Sequence, residues 1–181
     1  MSFVGHPAAI RRAAGGDRNW VPPLHLDARV ALDPARHPFY EHSEAAFWLA
    51  LRAGQAVGRL GVMNHRPHNE AHGARNASFT LFECEDDHDT ATALFEQAFE
   101  WARRRGLTRT VGPRGLGALD GYGLLVDGFD RRQLMTMTGY NPRFTNAPGR
   151  YCRNTLIEEM QSLKPGRHGP ETRSRSGTSA V

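Results

Sequence analysis

Two neighbouring runs carry the clearest pattern along the chain. Ala46-Phe47-Trp48-Leu49-Ala50-Leu51 is apolar and partly aromatic, and Ala56-Val57-Gly58-Arg59-Leu60-Gly61-Val62-Met63 follows as a second apolar run. Arg52-Ala53-Gly54-Gln55 lies between them and supplies a turn, so 45–53 and 55–63 are expected to pair as an antiparallel hairpin. In the next run Phe79, Leu81 and, less cleanly, Glu83 alternate with Thr80, Phe82 and Cys84, which is the period of a half- or fully buried strand. The period then changes. Ala91, Leu94, Phe95, Ala98, Trp101 and Ala102 recur at helical spacing, so 90–105 predicts a helix with one apolar face. Gly106 stands where a helix C-terminus takes a left-handed residue, and Thr108-Arg109-Thr110-Val111 reads as another strand. The whole predicts an α/β fold in which an antiparallel hairpin feeds a βαβ unit.

The remaining stretches read as connections. Trp20-Val21-Pro22-Pro23-Leu24 is stiffened by its prolines, and Leu32-Asp33-Pro34 and His37-Pro38-Phe39 add further breaks. Residues 64–76 are polar and rich in histidine, as a surface loop would be. Glycines 115, 117, 121 and 123 make 114–125 loop-like. Leu124-Leu125-Val126-Asp127-Gly128-Phe129-Asp130 is a short strand or an ordered loop, and Tyr140-Asn141-Pro142 is a turn. Residues 154–163 suggest a short helix. Beyond 165 the chain is rich in Gly, Ser, Arg and Pro and is expected to be disordered.

Composition alters this picture little. A chain of 181 residues fits one domain. No apolar run reaches the length of a membrane span, and the N-terminus lacks the apolar core of a secretory signal. Two cysteines, Cys84 and Cys152, cannot build a disulfide framework, so the cytoplasm is the expected compartment. The formal charge of +4 would invite nucleic acid, but Lys164, Arg167, Arg173 and Arg175 against Glu171 put +3 of it in 164–181. The body is nearly neutral, so nucleic acid is not the expected partner.

Several short motifs follow one another in a fixed order: Trp20-Val21-Pro22-Pro23-Leu24, His37-Pro38-Phe39-Tyr40-Glu41-His42, Gly58-Arg59, His68-Asn69, Phe82-Glu83 with Asp86-Asp87, Gly112-Pro113, 124–130 and Tyr140-Asn141-Pro142. Together they resemble a bacterial group within the GNAT-like acyl-CoA N-acyltransferase superfamily, over roughly 19–142. The resemblance implies a mixed sheet, antiparallel at first, that splays open after the Phe79 strand so that acyl-CoA enters between two strands. It divides the chain into a flexible lead (1–18), a GNAT-like domain (19–144) and a divergent basic tail (145–181). Members of the group continue with a helix and further strands that 143–181 does not resemble. The expectation is therefore a sheet incomplete at its C-terminus, in a truncated or frame-shifted copy.

The resemblance also implies a chemistry. The acyl group would pass from acyl-CoA or acetyl-CoA to a small-molecule amine, which needs a base for the amine and an acid for the departing thiolate. Glu83, at the end of its strand, is the candidate base, although a plain strand carboxylate there would face water. Tyr140 is the candidate acid. Phe82, Cys84, Gly112 and Arg114 are the candidates for holding the cofactor, with Cys84 on the face opposite Glu83 in a regular strand. Superfamily members hold pyrophosphate on a glycine-containing loop at the start of the crossover helix. Here that joint is Glu85-Asp86-Asp87-His88-Asp89-Thr90. Like charges ~4 Å apart cost about 4 kcal/mol at a surface-like dielectric, so the residues themselves favour a capped helix, with Asp87 or Asp89 as the cap. Glu85, Asp86, Asp87 and Asp89 lack the EF-hand pattern, and His65, His68 and His72 lack a cysteine or acidic partner, so no metal is expected. The reading is an N-acyltransferase-like protein. The alternative is a catalytically inactive domain of the same fold that binds a ligand or, through an open sheet edge, another subunit.

Overall fold

The computed structural model describes residues 29, 30, 32–117, 120, 121, 123 and 131. The expectations for 1–18, Trp20 to Leu24, 124–130, Tyr140 and the tail from 145 lie outside the described residues. The hairpin forms where the apolar runs place it. β1 (Glu44–Arg52) and β2 (Gln55–Asn64) pair antiparallel from Glu44↔Asn64 to Arg52↔Gln55. Ala53 and Gly54 close it with φ values of 47° and 76°, the double left-handed turn that suits the twist of paired strands. β3 (Asn76–Cys84) adds to β2 antiparallel, and β4 (Arg109–Val111) adds to β3 parallel. The product is a mixed α/β sheet in the order β1-β2-β3-β4. Two short helices stand where loops are expected: α1 (Phe39–His42) before β1, and α2 (Arg66–Ala71) between β2 and β3. His65 caps α2 and Pro67 starts it, while Asn69 bridges the adjoining strand ends by donating to Asn64 Oδ1 (2.9 Å) and the Asn76 carbonyl (2.8 Å).

α3 (His88–Arg104) is the crossover helix. It lies over β1, β2 and β3 and buries Ala91, Leu94, Phe95, Ala98, Phe99 and Ala102 against Leu60, Val62, Ala77, Phe79, Phe82 and Cys84. Its far end closes as the sequence predicts. Gly106, at φ 69°, donates to Arg103 O, and Leu107 donates to Ala102 O (3.0 Å) before burying its own side chain. This is the paired closure that satisfies the last carbonyls of a helix.

The expected alternation in β3 needs a correction. Gly61 faces Thr80 but Arg59 faces Glu83, so β3 has one residue more than β2 across that interval. The extra residue is Leu81, at φ 51°, and Leu81 and Phe82 together oppose Leu60. A bulge of this kind reverses the alternation. Phe79 consequently shares the helix side with Phe82 and Cys84, leaving Thr80 and Glu83 on the other side, where the uninterrupted pattern had grouped Phe79 with Glu83.

At its near end α3 is capped by Asp87, whose Oδ2 accepts from Thr90 N (3.2 Å) and Thr90 Oγ1 (2.5 Å). Arg52 reaches over from the end of β1 to Asp87 Oδ2 (2.6 Å), Thr90 Oγ1 (3.2 Å) and Glu85. Replacing Asp87 by alanine is expected to cost about 1 kcal/mol in urea unfolding, the usual worth of such a cap. The loss should depend on pH. The Thr90 hydroxyl hydrogen bond, backed by the hydrogen bond and charge of Arg52, holds the Asp87 carboxyl below its ordinary value. Its stabilisation is thus complete above the ordinary carboxylate range and fades as pH falls through the lower folded-state value. Wild type and Asp87→Ala should converge in stability at strongly acid pH; a constant gap would mean that charge plays no part.

Candidate functional site

Among the described residues the pairing of β3 with β4 is short. Only Asn76, Ala77 and Ser78 pair with Arg109, Thr110 and Val111. Past them Arg114 N donates to Phe79 O (2.9 Å), and the chain turns off into a loop in which Gly115 N meets Gly121 O and Gly123 N meets Pro113 O. Among the described residues no strand lies along that edge of β3 from Thr80 to Cys84. The Leu81 bulge falls within this stretch and bends it. Gly112 allows the departure to begin. Its φ is 152°, and a Cβ there would stand 2.6 Å from Phe79 O and 2.7 Å from the Phe79 ring.

Glu83 sits on the face away from α3, but it does not face water. It is buried with Arg59, its register partner, and Arg59 Nε stands 3.1 Å from Glu83 Oε2 with side-chain exposures of 6% and 10%. The expectation of a solvated strand carboxylate is corrected: the strand is covered on both sides. Each charge, withdrawn from water, gains from the attraction of the other. Phe82 and Cys84 turn their side chains into the helix-side core. Gly112 and Arg114 do lie at the opening. Tyr140 lies outside the described residues.

The acidic joint behaves as the residue reading expects. Asp87 occupies the N-terminus of α3, and Arg52 offsets its charge and that of Glu85. The histidines differ from the expectation, since they belong to α2. His65 Nδ1 accepts from His68 N (3.2 Å), the His68 and His72 rings lie 4.3 Å apart, and His72 Nδ1 is 2.8 Å from His68 O. Among the described residues no three His, Cys, Asp or Glu side chains converge as metal ligands.

Two contributors escape the sequence reading. Arg59 is one, although it is the single charge within the apolar run from Val57 to Met63 and Glu83 is the corresponding oddity in β3. Two opposite charges in strands expected to pair were a usable signal. Tyr40 is the other. Its hydroxyl is buried with no hydrogen-bond partner among the described residues, and burial, then the charge of Asp33, raises its pKa. It packs beside Phe39, Met63 and Leu116, a second small cluster whose members come from α1, β2 and the loop after β4.

Comparison with known proteins finds similarity to bacterial sequences. The chain is 36% identical over 141 residues to a protein of Caulobacter vibrioides named bacterial ceramide synthase, a match covering 77% of this chain and 36% of that protein. It is 32% identical over 129 residues to protein YghO of Escherichia coli, covering 71% of this chain and 32% of that protein. The chain thus spans about a third of the length of these curated relatives. No family model and no solved structure matches it. Among the described residues no helix is long and apolar enough to cross a membrane.

Proposed function

We propose that this chain is an N-acyltransferase-like domain, of the GNAT-like kind, that receives an acyl thioester between β3 and β4 and directs the acyl group to an amine. The observation that carries the reading is the opening itself. β4 leaves β3 after three paired residues, and among the described residues no strand follows it along the bulged stretch beyond Phe79, where an extended ligand would lie in this reading. A thioester carrying amide groups suits such an edge, because it can take the hydrogen bonds a neighbouring strand would make. The name of the Caulobacter relative supports the acceptor class: a ceramide is the amide of a fatty acid with a long-chain amino alcohol. In this reading Glu83 takes the proton from the attacking amine and Arg59 fixes its carboxylate, while Gly112 and Arg114 border the thioester. Tyr140 remains the proposed proton donor to the thiolate.

Asp87 favours a second reading. It fills the helix N-terminus on which a pyrophosphate would rest in the superfamily, with Glu85 beside it. A domain of this build that binds a ligand without transferring an acyl group is the alternative. The two readings separate in a pair of measurements. Acetyl-CoA and octanoyl-CoA, added at about 100 times Kd, should stabilise the folded chain by about 2.7 kcal/mol, seen as a rise in Tm. If neither raises Tm at millimolar concentration, the acyl-CoA reading is removed. A rise without amide formation, when a long-chain amino alcohol is supplied, leaves the inactive domain.

A further inference from the structure

β1 is the outermost strand on its side of the sheet: among the described residues it pairs with β2 and with no other strand. We propose that this edge is an interface, on which β1 of a second copy of the chain pairs antiparallel about a two-fold axis through Trp48. The inference is independent of acyl transfer.

Edge strands in natural proteins are blunted by charges or prolines along them, by bulges, or by being very short. β1 has none of these devices. It runs nine residues, from Glu44 to Arg52, with no charged residue and no proline between its two ends. The irregularity of the hairpin lies in the other strand. Ala50 faces Gly58 and Leu51 faces Ala56, so Val57 is the additional residue and belongs to β2. Nor is β1 buried as β2 is. Val57 to Met63 are all buried, whereas every residue from Glu44 to Ala50 keeps part of its surface and Leu51 is 57% exposed. α3 packs against Ala46, Trp48 and Ala50 on one side of the strand, which leaves the outer edge as the direction of growth.

The ends of the strand select the occupant. At its start Glu44 meets both Arg105 (2.9 Å) and Arg66 (3.7 Å), one carboxylate against two guanidiniums, so that end keeps one positive charge. At its finish Arg52 meets both Asp87 (2.6 Å) and Glu85, one guanidinium against two carboxylates, so that end keeps one negative charge. The exposed Asp86 and Asp89 add to the negative end. β1 is thus positive at one end, apolar along its middle and negative at the other. A second copy laid parallel would bring like ends together, and one laid antiparallel joins opposite ends. The length matches as well. In a ladder centred on Trp48, Glu44 comes opposite Arg52 of the second copy, Ala45 opposite Leu51, Ala46 opposite Ala50 and Phe47 opposite Leu49. Such a pairing uses the same edge of both copies and therefore closes at two. One strand pair falls at the low end of specific interfaces, below about 1,200 Å², so the dimer dissociates in the micromolar range.

Sedimentation equilibrium of the chain should give a mass that rises from 20.1 kDa towards twice that value between about 1 and 100 µM. Leu51→Lys changes an exposed side chain, so the Tm of the dilute monomer should stay the same. It sets a cation against the positive start of the second copy and should weaken the dimer at least about tenfold. Leu51→Glu loses the same apolar contact but carries the attracted charge, and should weaken the dimer less than about threefold. Amides 45–51 should also exchange with solvent more slowly at about 100 µM than at about 1 µM. A mass of 20.1 kDa at the higher concentration overturns the proposal. So does a dimer that the two variants weaken equally or not at all. Exchange in 45–51 that is the same at both concentrations overturns it too, because another segment of the chain would then cover the edge or another surface would form the dimer.

Discussion

Replacing Arg59 by methionine is expected to lower the unfolding free energy by about 3–5 kcal/mol, because it takes a close, buried counter-charge away from Glu83. That is a large fraction of the about 5–15 kcal/mol that holds a typical domain folded. The double variant Arg59→Met/Glu83→Leu should recover most of the loss or exceed wild type, since apolar residues of similar size often replace a buried pair at no cost. Urea titration of the four proteins closes the cycle. A double variant no better than Arg59→Met alone would show that the arginine stabilises by packing its stem, not by pairing. The same variants bear on function, since the double variant is a folded protein without the proposed base. Loss of acyl transfer at recovered stability would assign Glu83 to the chemistry; full activity would exclude it.

Gly112→Ala should be nearly as damaging, at about 3 kcal/mol or more. A φ of 152° is one that an alanine adopts only under strain, and the new methyl would lie 2.6 Å from a backbone oxygen that cannot swing aside. Strain of this kind costs about 1–3 kcal/mol, and forced overpacking typically adds a similar amount. Gly73→Ala is the control. Its φ is +56° with nothing within 4 Å of the added carbon, so it isolates the cost of a left-handed alanine, about 1–2 kcal/mol. The damage in Gly112→Ala should be local as well as global. The Arg114 amide, which donates to Phe79 O, should exchange with solvent faster. Equal losses in the two variants would mean that the chain relaxes away from Phe79 without consequence.

The elements set by local chemistry were legible in the sequence. The hairpin follows from apolar runs around a Gly-containing turn, and α3 follows from its period, with Asp87 and Gly106 marking its ends. The bulge was not legible. Leu81 is an ordinary strand residue by type, and nothing local says that it is the one left out of the ladder. That error moved Phe79 to the wrong side and hid the company Glu83 keeps. The fate of Glu83 depended on Arg59, far off in sequence but opposite in register, so it was unreadable until the pairing was known. α2 was missed because its polar, histidine-rich text resembles a loop. It is held by a proline, a histidine cap and the two Asn69 bonds, none of which leaves an apolar period.

Deleting Leu81 in thought clarifies what the bulge is for. Without it the remaining residues alternate in simple register: Ala77, Phe79, Phe82 and Cys84 fall on one side, Ser78, Thr80 and Glu83 on the other, as they already do. The hydrophobic interior therefore gains nothing from the additional residue, which itself sits in a left-handed conformation worth about 1–2 kcal/mol of strain. A shorter, straighter strand would bury the same side chains at lower conformational cost. What the eighty-first residue alters is the line of the strand's outer edge, and a chain shortened by that one position would report on the edge alone, with its core packing left as a constant.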